Sequence, residues 1–416
     1  MAQGSSTSEA QSGWRGFLLI LLSLVVEGFD LQAANFAAPS VVEAFGVSKA
    51  DIGPFLSASL FGVLIGAVFV GPLGDRVGRR RILIASCLAY GGLSLAAAFA
   101  QDLWHLVALR FLIGIGLGGV LPNALALAGE LAPRRHLARA TGIVGIGITF
   151  GGVVAGVVAA QCLPLYGWPS LFLVGGVLPI AIAVLLWAAL PESPALAVLS
   201  ARTRASEIGV RRLLGSEWRG QTIGIWCVFA AVLMVVYLLS GWIPLLIHDQ
   251  GYSTATASWV ATGAHVGGVA GGVVASLLLH RRPWLVVAIF AAFAAIALGL
   301  LAAFDWGVVG LALLIGVVGF FSTGTQNGLN GSAGATYPVE IRASGLGWAL
   351  GLGRVGSILG PLVGAAALSL GLPSSRTFFL LPIVPLLLAA ALCWWLSRVS
   401  NQRRRRNDEP NAEDCD

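Results

Sequence analysis

Apolar residues fill this chain in long blocks, and polar residues gather in the short breaks between them. A block of about 20 apolar residues can cross a bilayer as a helix. Counting such blocks predicts twelve helices, at 16–38, 50–72, 81–100, 104–131, 138–160, 168–190, 221–247, 255–279, 283–304, 307–333, 344–370 and 377–398. The one long break, 191–220, divides them into bundles at 16–190 and 221–398, with a segment 1–15 before and a charged tail 399–416 after. Arg139-Ala140-Thr141-Gly142 opens the fifth helix and Arg342-Ala343-Ser344-Gly345 opens the eleventh, an echo that marks the halves as repeats. The predicted class is an all-α polytopic membrane protein with two six-helix pseudo-repeat halves, and such halves hold a substrate between them.

Composition agrees with the pattern. Hydrophobic residues make up 57% and charged residues 11% of 416, with mean hydropathy +0.87, which excludes a soluble globular protein. The 55 glycines suit membrane helices that pack backbone to backbone. The net charge of +6 is a topology signal and no mark of a nucleic-acid partner, because basic residues fall in alternate loops. One set holds Arg76, Arg79, Arg80 and Arg81; Arg134, Arg135 and Arg139; Arg202, Arg204, Arg211, Arg212 and Arg219; Arg281 and Arg282; Arg342; Arg398 and Arg403 to Arg406. The other holds only Lys49 and Arg376, so both termini are expected in the cytoplasm and the chain in the cell inner membrane. Met1 to Ser12 is polar, so no cleaved signal peptide is expected. Trp14, Trp104, Trp168, Trp284, Trp306, Trp394 and Trp395 stand near predicted helix ends, as interface anchors do. The five cysteines have no metal-type spacing, and no cofactor motif is present.

Ionisable groups at bilayer depth are the candidate chemistry. Glu27 and Asp30 share one face of the first helix with Ser23. Each acid costs roughly 2.5 kcal/mol or more there unless it meets water or a partner. Arg110 in the fourth helix lies at a similar depth to Asp30, so an ion pair or snorkelling to the headgroups would satisfy it. Arg354 falls near the middle of the eleventh helix, where a guanidinium can grip a carboxylate with two hydrogen bonds or pair with an acid of another helix. Gln326, Asn327 and Asn330, beside Phe320 and Phe321 in the tenth helix, can hydrogen-bond and stack an aromatic ligand, or hold helices together. His265 in the eighth helix suits proton transfer or packing. No Ser/His/Asp set, metal cluster or phosphate loop suggests an enzyme.

Between the second and third helices runs Gly71-Pro72-Leu73-Gly74-Asp75-Arg76-Val77-Gly78-Arg79-Arg80-Arg81. This run resembles the signature loop of the major facilitator superfamily. Arg110-Phe111-Leu112-Ile113-Gly114-Ile115-Gly116 resembles its fourth-helix motif, and Pro191-Glu192-Ser193-Pro194 resembles the end of its first half. Together with Glu27-Gly28-Phe29-Asp30-Leu31-Gln32-Ala33-Ala34 and the Gly353-Arg354 pair, these runs resemble the aromatic acid:proton symporter family, most closely its hydroxyphenylpropionate transporters. The resemblance implies a major facilitator fold that imports a small aromatic carboxylate with protons, by alternating access, as a monomer. It implies proton coupling by Glu27, Asp30 and Arg110, substrate contact by Arg354, and gating by the loop bearing Gly71, Gly74, Asp75, Arg76, Gly78, Arg79 and Arg80. The counterpart loop, Leu279-His280-Arg281-Arg282, lacks the acid. A proton-driven exporter of hydrophobic compounds would share the fold, and a membrane sensor would bind without flux.

Overall fold

The computed structural model describes residues 3–131, 137–190, 212–279, 282–371 and 375–408. The Pro191–Pro194 run and most of the central connection lie outside the described residues, as do Arg134, Arg135, Arg202, Arg204, Arg211, His280, Arg281, the end of the tail, and the side chains of Arg139, Arg376 and Arg403 to Arg406.

Twelve long helices are present among the described residues: α1 (Gln3–Phe45), α2 (Ile52–Phe69), α3 (Arg79–Ala97), α4 (Leu103–Gly118, resuming as Val120–Leu131), α5 (Leu137–Tyr166), α6 (Pro169–Ala189), α7 (Arg219–Asp249), α8 (Thr254–Leu278), α9 (Pro283–Ala303), α10 (Val308–Thr336), α11 (Val339–Ser369) and α12 (Ile383–Asp408). Eleven are long and apolar enough to cross a membrane by themselves. The twelfth, α3, has a similar length, but Arg79, Arg80 and Arg81 crowd its first turn and lower its mean hydropathy. α1 runs to Phe45, past the expected end at 38, because Pro39 sits inside it without stopping it and Val41 continues its buried face. Two expected interface anchors are core residues instead. Trp168 packs on Phe45 and Phe172, while Trp284 is buried and donates its ring N–H to Thr336 at 2.9 Å.

The pseudo-repeat is visible in which helices touch. Within the first half α1 packs on α5, α2 on α4 and α3 on α6; within the second α7 packs on α11, α8 on α10 and α9 on α12. Lipid tails supply no hydrophobic drive to bring helices together, so membrane helices rely on close backbone approach at small residues. Glycines make that approach at matching places. Gly28 faces the backbone of Ile148 where α1 meets α5, and Gly356 faces that of Ala230 where α11 meets α7. Gly114 faces Ser59 between α4 and α2, and Gly271 faces Phe320 between α8 and α10. A methyl group at any of these four would overlap the neighbouring main chain.

The halves meet through α5 on α8, α2 on α11 and α1 on α7. Gly156 admits Thr262, Gly53 admits Ala365, and the Ser57 hydroxyl donates to the Ile358 carbonyl at 3.0 Å. Two polar contacts tie the halves on the face opposite the termini: the ion pair of Lys49 with Asp249, and the His248 ring beside the Glu43 carboxylate at 3.5 Å. On the termini face Arg79 pairs with Asp75 and with Glu130, inside the first half.

The glycine contacts predict a specific pattern of stability. Gly114→Leu should lower the midpoint of thermal unfolding in detergent, since overpacking a tight contact typically costs about 1–3 kcal/mol. Gly299→Ala, at a helical position where a methyl meets nothing, should leave the midpoint unchanged or raise it.

Candidate functional site

Four helices of the first half converge on one buried ion pair. Asp30 comes from the middle of α1, and Arg110 reaches it from the second turn of α4 at 3.4 Å, both 1% exposed. Arg110 also donates to the Asp30 main-chain carbonyl at 3.2 Å and to the Ser59 hydroxyl of α2 at 2.7 Å. The Ser94 hydroxyl of α3 donates to the other carboxylate oxygen at 2.8 Å. Gly175 of α6 leaves the room this carboxylate occupies. A buried pair is stabilised when further donors and acceptors of both partners are met, and the two serines supply part of that. Arg110 Nε is left without a hydrogen bond, so the pair is strong at the carboxylate and incomplete at the guanidinium.

Glu27 lies about one helical turn away and is equally buried, but Oε2 has no hydrogen-bond partner. The Tyr90 hydroxyl of α3 lies beside the Cys87 thiol, close enough to both acids to interact with them electrostatically. Ser23, the third member of the polar face expected on α1, turns back to donate to the Ile20 carbonyl at 2.7 Å. Arg354 approaches from α11 of the other half. Its guanidinium is half-buried, makes no hydrogen bond or ion pair among the described residues, and acts on Glu27 through charge. The arrangement thus holds one arginine locked to an acid inside a half, and a second arginine unlocked across the divide from another acid.

The tenth-helix residues separate. Asn327 lies between Gly272 of α8 and Gly145 of α5, where the halves meet, and its amide nitrogen lacks a hydrogen bond. Gln326 is half-buried and Asn330 exposed. Phe320 stacks on Phe290 of α9 at 5.8 Å and meets Phe321 edge-on at 5.0 Å. Its ring packs α10 against α9, which offers a large aromatic partner that sequence spacing on one helix does not reveal. His265 fits opposite Gly152 of α5, with the Phe36 ring of α1 5.9 Å away.

The loop between α2 and α3 folds around Asn123 of α4, whose amide donates to the carbonyls of Gly71 at 3.2 Å and Gly119 at 2.8 Å. A side chain at Gly74 would collide with that amide. Gly78 adopts φ 115° to start α3, a conformation that suits glycine. Arg79 pairs with Asp75 at 2.8 Å and with Glu130, Arg80 donates to the Trp187 carbonyl, and Arg76 is exposed. Reasoning from the sequence overlooked Ser59, Ser94, Tyr90, Asn123 and Glu130. The only available signal was a polar residue inside or bordering an apolar run, and serine is too common in such runs to stand out.

Comparison with known proteins fits this architecture. The family model of the Major Facilitator Superfamily matches residues 20–334. A gallate transporter of Pseudomonas putida is 36% identical over 412 residues, covering 91% of each chain. A 3-(3-hydroxy-phenyl)propionate transporter of Escherichia coli K12 is 36% identical, covering 85% of this chain and 86% of its own. A 4-hydroxybenzoate transporter of Pseudomonas aeruginosa is 34% identical, covering 86% and 87%. Among solved structures, a bacterial homologue of the human lysosomal transporter Spinster, inward-facing and occupied, superposes with a TM-score of 0.74 at 18% identity over 92% of this chain and 96% of that one. With paired six-helix halves, a matched family model over most of its length and relatives of nearly its full extent, the chain belongs to the Major Facilitator Superfamily.

Proposed function

We propose that the chain is a proton-coupled symporter that imports a small aromatic carboxylate by alternating access across the cell inner membrane, with both termini cytoplasmic and a monomer as the working unit. One observation carries the reading: two buried acids three residues apart, one tied to an arginine within its half and the other facing an untied arginine across the halves. The names of the relatives, all transporters of aromatic acids, support the substrate class. Basic residues gathered in alternate loops support the orientation.

In this reading Asp30 accepts a proton, which removes the charge that holds Arg110. Arg354 takes the substrate carboxylate in the place where Glu27 now draws on it, with Asn327 and Gln326 as further donors. Glu27 and Asp30 are close enough to titrate as a pair. Proton and substrate must both favour the state that reorients, since a ligand bound equally by two states shifts neither. The pairs Lys49–Asp249 and Glu43–His248 would part as the outer face opens, while the loop around Asp75 and Arg79 would approach the second half.

The reading is tested by uptake of labelled 3-(3-hydroxyphenyl)propionate into proteoliposomes under an inward proton gradient, with gallate, 4-hydroxybenzoate and benzoate as competitors. Accumulation that an uncoupler abolishes is the expected result; protons driving efflux instead would make the protein an exporter. Asp30→Asn should abolish accumulation against a gradient yet retain exchange of labelled for unlabelled acid, whereas full accumulation would remove Asp30 from coupling. Arg354→Lys should raise KM about tenfold, the loss of one charge-assisted hydrogen bond; an unchanged KM would exclude two-point capture.

A further inference from the structure

His265 belongs to a second polar site that the transport cycle above does not use. It lines a cavity of about 20 Å³ within the second half, with Ser240 of α7 and Ser322 and Thr323 of α10. Ser322 is satisfied by its own helix, donating to the Val318 carbonyl at 2.6 Å. The His265 ring and the hydroxyls of Ser240 and Thr323 make no hydrogen bond among the described residues. Three polar side chains from three helices thus converge, without partners, on a space that holds one oxygen atom. Their polar atoms open on the cavity, so a single ligand or water oxygen placed there can meet them.

The surroundings give the cavity a direction. His265 is held against the first half by Gly152 and Phe36, below the end of the bundle away from the termini. It stands about 16 Å along α8 from that end, and Arg354 about 22 Å along α11, at 1.5 Å per residue. The two differ in depth by about 6 Å, on helices that each pack against the first half. The rest of the lining, Val236, Leu239, Ile243 and Val318, is apolar and suits a ring edge. On the transport reading above, we infer that this cavity is the subsite for a ring hydroxyl of the substrate, with His265, Thr323 and Ser240 as the residues that select hydroxylated aromatic acids over unsubstituted ones. The hydroxyl donates to one of these groups and accepts from another, which a ring C–H cannot do.

A site built to hydrogen-bond a hydroxyl rejects the analogue lacking it far more strongly than an apolar pocket separates homologues. The test measures inhibition of labelled 3-(3-hydroxyphenyl)propionate uptake by the unlabelled acid and by 3-phenylpropionate, in the wild type, His265→Ala, and the near-isosteric double variant Ser240→Ala with Thr323→Val. The wild type should prefer the hydroxylated acid by roughly tenfold or more. The preference should shrink toward equality in both variants, because only the hydroxylated acid loses contacts. The double variant carries the test if His265→Ala does not fold. An equal preference in the wild type, or an undiminished one in the variants, overturns the subsite while leaving aromatic-acid transport intact. Failure of the wild type to take up either acid overturns the transport reading and this inference with it.

Discussion

A charged pair in the apolar middle of a bundle constrains everything around it. Asp30 and Arg110 cannot be left to lipid, so four helices must bring backbone and hydroxyl groups to the pair at hydrogen-bond distance. Gly114 lets α4 close on α2, while Gly28 and Gly175 let α5 and α6 close on α1 around the pair. The glycine-rich composition and the buried charge are two sides of one arrangement. Small residues draw the backbones together, and close backbones hold the few polar atoms where the charge needs them.

The two halves repeat the scaffold but divide the chemistry. Each contains the same three helix pairings, with glycine against backbone at equivalent places. The first half holds the Asp30–Arg110 ion pair and a loop in which Asn123, Asp75 and Glu130 occupy the donors around them, and leaves Glu27 Oε2 without a hydrogen bond. The second half brings the Arg354 guanidinium, the Asn327 amide and the polar cavity at His265. Groups without partners on a shared divide are where a ligand adds the most interaction, since it removes an existing cost as well as making a contact.

The polar ties between the halves opposite the termini are modest forces. Lys49–Asp249 and Glu43–His248 are solvent-exposed pairs, of a kind worth about 0–1 kcal/mol each. Apolar and glycine contacts such as Gly156 with Thr262 supply the rest. A surface held this weakly can part, as alternating access requires, while the interior of each half stays fixed by backbone contacts that cannot be loosened without loss of fold.

The sequence by itself determined the twelve long helices and which ionisable residues fall within apolar ones. These follow from hydropathy and helix rise, which are properties of a single segment in lipid. The glycine positions were legible as well, as a need for close packing, though their partners were not. Only the tertiary structure decided which acid Arg110 meets, that Arg354 keeps a free guanidinium, and that Phe320 packs on Phe290 while Asn327 faces the divide. It also decided that Trp168 and Trp284, placed by hydropathy at the interface, belong to the core. The reason is geometric. Periodicity assigns a residue to a face of its helix, but a partner is chosen by which other helix covers that face, and every helix here is apolar on most sides.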